Sequence, residues 1–260
     1  MKPKKCLSQY FLLNKKYLKK IADAVEARED ETLLEIGAGR GELTQFLIGK
    51  KRKIICAEID PYLCRILKER FKGVDFLEVF CQDIRNLKLS EKKLIVVGNI
   101  PYHLSFQIIE FLIKNRKRIL KAYLTFQKEF AQKLTAKVGS KSYNFLTCFL
   151  KFYAEAKILF NIPQSCFFPQ PKVSSALVKI DFSVHPELFL EEGQEKMFLD
   201  FLRKIFQQRR KKIINILKEF YQDKKEEIKS FLEERGIYSS RPEEIRLKEL
   251  VEIYNYLQQK

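Results

Sequence analysis

"TLLEIGAGRGELTQFLIGK", residues 32–50, carries the first decision about the fold. A mostly apolar run ends on Gly37, the glycines repeat at 39 and 41, and a helical period follows from Leu43. Strand, tight turn and helix form the unit in which glycines let backbone N–H groups approach a ligand at a helix start. The spacing is G-x-G-x-G, whereas the dinucleotide fingerprint is G-x-G-x-x-G, so a nicotinamide cofactor is not the best fit.

Working outward, "KKYLKKIADAVEA" (15–27) reads as an amphipathic helix and "KIICAEI" (53–59) as the next strand. "PYLCRILKERF" (61–71) reads as a helix opened by Pro61, and "DFLEVF" (75–80) and "LIVVGN" (94–99) read as strands. This alternation predicts an α/β, Rossmann-like fold: a parallel sheet with helices on both faces. Further strand candidates are "KAYLTF" (121–126), "AEAKILF" (154–160) and "SSALVKI" (174–180), with a helical "QKEFAQKLTAK" (127–137) between the first two. From about 187 onward only helical periodicity remains. The expected division is a sheet domain over 1–185 and a small all-helical domain over 186–260.

A chain of 260 residues with 46% hydrophobic content can bury cores of that size. No run of about 18 uncharged apolar residues is present, and lysines flank the short apolar piece near the start. A soluble, cytoplasmic protein without a membrane role is expected. Six cysteines stand without a C-x-x-C pair, and there are only two histidines, so no metal is expected and the thiols are expected reduced.

Net charge is +17, unevenly placed: residues 1–185 hold 34 Lys and Arg against 18 Asp and Glu, while 186–260 hold 16 against 15. Such a field attracts polyanions. Candidate contacts are "KKRK" (50–53), "KNRKR" (114–118) and "RRKK" (209–212).

Chemistry gathers at successive strand ends. After Gly37 and Gly39 comes Glu58 of "CAEID", placed to accept ribose hydroxyls, and then Asp83 of "FCQDI", placed to contact an adenine amino group. Glycine, glutamate and aspartate in that order match S-adenosylmethionine in Rossmann-like methyltransferases. The fourth strand ends on "NIPY". An exocyclic adenine amine is a poor nucleophile because its lone pair is delocalised into the ring. Hydrogen bonds from it to the Asn99 carbonyl and to a main-chain carbonyl beside Pro101 favour a tetrahedral nitrogen. Pro101 fixes the loop, and Tyr102 offers a stacking face for a base taken out of its stack.

Over almost its whole length the chain resembles the small-subunit ribosomal RNA adenine dimethyltransferases. The matching pieces are "SQYFLLN" (8–14), "EIGAGRG", "EID", "QDI", "GNIPYHLS", "FQKEFAQKL" (126–134), "PQSCFFPQPKVSSALV" (163–178) and "FQQRRKKI" (206–213). The resemblance implies dimethylation at N6 of two adjacent adenosines in the 3′-terminal hairpin loop of small-subunit RNA, on a pre-30S-type particle, by a monomer. It also implies that Gln9, Tyr10 and Leu12 line the cofactor with Gly37, Gly39, Glu58, Asp83 and Asn99. Phe167 would sandwich the adenine opposite Tyr102. Tyr10 stands where that family usually carries Asn or His, and Ile100 and His103 replace its more usual Leu and Asn. "NIPY" is shared with the sister family that methylates large-subunit RNA and confers macrolide resistance. "FQQRRKKI" and the ending from Gly236 resemble the small-subunit enzymes better. A third branch uses the same fold as a nucleic-acid platform without chemistry.

Overall fold

The computed structural model describes residues 10–184, 188, 190–191 and 193–258. The sequence-predicted strands and helices form where expected. In chain order they begin with β1 (Phe11–Leu12), α1 (Lys15–Ala24), β2 (Thr32–Ile36), α2 (Thr44–Leu47), β3 (Ile54–Glu58), α3 (Pro61–Arg70), β4 (Leu77–Cys81) and β5 (Leu94–Asn99). There follow α4 (Ser105–Lys114), β6 (Ile119–Gln127), α5 (Lys128–Leu134), α6 (Phe145–Lys151), β7 (Glu155–Ile162), β8 (Phe167–Phe168) and β9 (Ser175–Asp181). Among the described residues, α7 (Glu195–Gln207), α8 (Ile213–Phe220), α9 (Lys225–Glu234) and α10 (Leu247–Gln258) follow.

Local chemistry sets the helix starts. The Asn14 side chain accepts the N–H groups of Lys16 and Tyr17 ahead of α1, and Asp60 accepts that of Tyr62 ahead of α3, whose first residue is Pro61. The strands form a seven-stranded sheet in the order β4-β3-β2-β5-β6-β9-β7. Leu33 and Leu34 point to opposite faces of β2 and both are fully buried, the signature of a sheet covered on both sides. The pairings from β4 through β6 are parallel, as predicted, but β9 runs antiparallel to both β6 and β7. A run of residues such as "SSALVKI" shows only burial, not direction.

The run of β-branched residues in β5 stops at Gly98 for a steric reason. Gly98 lies opposite Ile36 on β2, and a Cβ there would sit 2.5 Å from the Ile36 carbonyl oxygen. The β5 backbone therefore has no room for a side chain against β2 one residue before Asn99. Gly98→Ala is expected to destabilise the protein by about 1–3 kcal/mol, the usual cost of overpacking, read as a lower urea midpoint. An unchanged midpoint would show that β2 and β5 separate freely.

Two compact units emerge, and their division differs from the expected 1–185 and 186–260. The first comprises the described residues up to Ala131 together with Ala154–Val184, and the second comprises Gln132–Tyr153 with the described residues after Val184. The core of the second unit includes Tyr143 and Cys148 beside Phe198, Leu202, Ile213, Leu217, Leu250 and Tyr254. An excursion between β6 and β7 thus joins the helical unit. Its helix α6 starts at a capping box between Asn144 and Thr147. "FLTCFLK" is too short and too uniformly apolar to show a helical period.

The cysteine expectation is also corrected. Cys64 on α3 and Cys81 at the end of β4 are joined in a disulfide with Cα atoms 5.8 Å apart. Their separation of 17 residues carries no pairing signal; packing of α3 beside β4 brings them together. Cys56, Cys148 and Cys166 are free and buried.

Candidate active site

A cleft of about 230 Å³ opens at the carboxyl ends of β2, β3, β4 and β5, where open α/β sheets bind ligands. Gly37, Gly39, Glu58, Asp83, Asn99 and Pro101 all line it. Gly37 and Gly39 have φ of +69° and +61°, the left-handed region that side chains disfavour. Their turn brings the Gly39 N–H to the Glu58 carboxylate at 2.9 Å, while the other Glu58 oxygen accepts the Asp60 N–H at 2.9 Å. Glu58 is thereby held rigid at the end of β3. Its burial pushes its pKa above the ordinary carboxylate value.

Asp83 is fixed by a different device. Its carboxylate accepts from the Arg85 backbone N–H at 2.9 Å and from the Arg85 guanidinium at 2.5 to 3.1 Å. Those hydrogen bonds hold Asp83 below the usual carboxylate range, so it stays an anionic acceptor. Sequence reasoning missed Arg85, which lines the cleft. It also missed Ile59 and Ile84, two apolar walls beside Glu58 and Asp83. Ile59 is 51% exposed although it sits in the cleft, leaving an apolar face open to a flat ring. Both isoleucines directly follow a carboxylate already singled out, and that adjacency was the available signal. Apolar walls flanked by two fixed carboxylate acceptors fit an adenosine-bearing cofactor.

At the end of β5 the Asn99 amide is anchored at both atoms. Its Nδ2 donates to the Tyr10 carbonyl at 2.8 Å, and its Oδ1 accepts from the Thr125 hydroxyl at 2.6 Å. A carbonyl oxygen has two lone pairs, so Oδ1 keeps one for a further donor. Pro101 follows with φ of −60°. The phenol of Tyr102 shares a hydrogen bond of 2.7 Å with the Ser175 hydroxyl, which fixes its ring.

Two expected contacts, Leu12 and Phe167, fall elsewhere, and a third is not placed. Gln9 lies outside the described residues. Leu12 and Phe167 face each other across the β1–β8 ladder, and both are buried in the core of the first unit. Opposed residues share a face and neighbours alternate, so Phe11 and Phe168 take the other side. Phe11 lines the cleft in place of Leu12, and Phe168, 56% exposed, is the free ring of the pair in place of Phe167. Two-residue strands are too short for their facing to show in the sequence.

The basic clusters are partly engaged in holding the fold. Lys50 donates to the Val25 carbonyl at 2.8 Å, and Lys53 pairs with Glu78 and Glu91. Arg118 donates to the Ser90 carbonyl, and Arg209 binds Glu243 at 2.7 Å and the Lys141 carbonyl at 3.0 Å. Replacing Arg209 would therefore disturb folding as well as any polyanion contact.

Beneath the glycine turn, Glu35 is wholly buried and accepts the Thr44 hydroxyl at 2.7 Å. Burial raises its pKa from the ordinary 4.5 to about 8. The folded protein then keeps a proton that the unfolded chain releases near 4.5, so stability falls as pH rises from about 4.5 to about 8 and levels off above. The slope is on the order of 1 kcal/mol per pH unit inside that window. Glu35→Gln is expected to remove most of the slope and to raise the melting temperature at pH 8. An identical slope in the variant would show that Glu35 is ionised in the fold.

Comparison with known proteins identifies the family. The family model described as ribosomal RNA adenine dimethylase matches residues 1–259. A probable ribosomal RNA small subunit methyltransferase A of Methanococcoides burtonii is 36% identical over 255 residues, covering 97% of this chain and 92% of that protein. The ribosomal RNA small subunit methyltransferase A of Mycoplasma mobile is 36% identical over 245 residues, covering 94% of each. A dimethyladenosine transferase from Plasmodium falciparum superposes with a TM-score of 0.82 at 26% identity, covering 96% of this chain and 98% of that one. The 23S rRNA methyltransferase ErmE superposes at 0.78, also with 26% identity, covering 96% and 100%. With the strand-end carboxylates, the anchored asparagine and a match along nearly the whole length, the chain belongs to the ribosomal RNA adenine dimethylase family.

Proposed function

We propose that the protein dimethylates N6 of two adjacent adenosines in the 3′-terminal hairpin loop of small-subunit ribosomal RNA, using S-adenosylmethionine. It acts as a cytoplasmic monomer on a pre-30S-type particle and needs no metal. The observation that carries this reading is the Asn99 amide, anchored by Tyr10 and Thr125 beside a cleft lined by Glu58 and Asp83.

The cofactor, when bound, supplies an electrophilic methyl group on a sulfonium. Glu58 takes the ribose hydroxyls, Asp83 the adenine amine of the cofactor, and Ile59 and Ile84 the faces of that adenine. Asn99 Oδ1 and the carbonyl beside Pro101 accept the two N–H bonds of the unmodified amine, and one of them accepts the single N–H left for the second transfer, aiming the lone pair each time. No side chain of shifted pKa is required to take a proton before transfer, because the amine is neutral; the cationic nitrogen formed by each methyl gain then releases one N–H proton to water. Tyr102 stacks on the target base with its ring held by Ser175. The helical unit and the basic surface hold the folded RNA around the target.

A direct test is incubation with small-subunit particles and a methyl-labelled cofactor, followed by digestion to nucleosides. Labelled N6,N6-dimethyladenosine is expected. Label confined to N6-monomethyladenosine, or absent despite RNA binding, would refute the dimethylase reading.

A further inference from the structure

Tyr10 holds a position that the catalytic account leaves unused. Its backbone carbonyl anchors Asn99, but its side chain does something separate: the ring stacks on Tyr102 with centroids 5.3 Å apart and planes 23° apart. Tyr10 lines the cleft together with Asn99 and Pro101, and its ring covers one face of Tyr102, the residue next to Pro101. Tyr102 itself cannot easily turn away, because its phenol is bonded to Ser175.

We propose that Tyr10 is a stand-in for the target adenine: its side chain occupies the stacking face of Tyr102 in the RNA-free protein and must be displaced for the base to enter. This rests on the reading of Tyr102 as the target's stacking partner. The face is kept covered rather than exposed as a bare aromatic surface, and a base that stacks poorly does not displace the incumbent ring. Base entry is thereby biased toward purines, whose larger π-face competes better. Because the Asn99 anchor comes from the backbone of residue 10, replacing the side chain leaves that hydrogen bond available.

The test uses the full chain and a small-subunit hairpin RNA carrying 2-aminopurine at the first target position, whose fluorescence reports base extrusion and stacking. Tyr10→Ala is expected to tighten base insertion roughly three- to tenfold, the equilibrium equivalent of one aromatic pair. Tyr10→Asn, which keeps a side chain at this position, is expected to give a gain in the same range. In a Tyr102→Ala background neither change should produce a gain, since the competed surface is gone. Insertion that is unchanged or weaker in both variants, or a gain that persists without Tyr102, would overturn the proposal while leaving the base site intact. A fluorescence response in none of the proteins, the unsubstituted chain included, would refute the base site and the proposal together.

Discussion

Asn99→Ala is expected to lower the turnover of methyl transfer by at least about 10²-fold, the scale seen when a single aimed polar group is removed from a transition-state site. The argument begins with the anchors. Thr125 on β6 and the carbonyl of Tyr10 fix the amide from two sides, so its free lone pair points in one direction before any substrate arrives. A fixed acceptor favours the pyramidal amine over the planar one without reorganising during the reaction, and its removal therefore acts on turnover more than on RNA affinity. Alanine also leaves the Thr125 hydroxyl and the Tyr10 carbonyl without that partner, at a cost of about 1–3 kcal/mol in stability. Thermal melts run beside the kinetics separate the two effects. Near-normal turnover in a folded variant would remove Asn99 from the chemistry.

The second large effect belongs to the cofactor. Glu58→Arg replaces a buried acceptor by a bulky donor at the end of β3, and it also strips the Gly39 and Asp60 N–H groups of their shared partner. Calorimetric affinity for S-adenosylmethionine is expected to fall at least tenfold, which corresponds to about 1.4 kcal/mol. Unchanged affinity would place the ribose elsewhere than at Glu58.

Much of this site was legible before the structure, for a physical reason. In a parallel sheet the ligand-facing residues are those that end the strands, and a strand end is marked where an apolar run meets a glycine, a carboxylate or an Asn-x-Pro. Gly37, Glu58, Asp83 and Asn99 each satisfied that rule, and each lines the cleft. What could not be read depended on facing or on distant partners. Whether Phe167 or Phe168 is the free ring is set by pairing with β1, two residues long and more than 150 positions away. The clamp of Arg85 on Asp83 is a local rotamer choice that spacing does not reveal. The antiparallel direction of β9, the joining of Gln132–Tyr153 to the helical unit and the Cys64–Cys81 link are likewise tertiary outcomes. The close approach of Gly98 to Ile36 explains, after the fact, why a glycine interrupts "LIVVGN".

A pocket that takes an adenine amine does not by itself distinguish small-subunit from large-subunit RNA, and the likeness to ErmE, a 23S rRNA methyltransferase, does not either. The most direct measurement of the central claim is therefore primer extension on two RNAs after incubation with the protein and cofactor: small-subunit particles lacking the modification, and protein-free large-subunit RNA. Two methyl groups on N6 remove both N6–H donors, including the one on the Watson–Crick edge, and stop the polymerase. The account predicts stops at two neighbouring adenosines in the 3′-terminal hairpin loop of the small-subunit RNA and none in the large-subunit RNA. A single stop in the large-subunit RNA with the small-subunit particle untouched would contradict it.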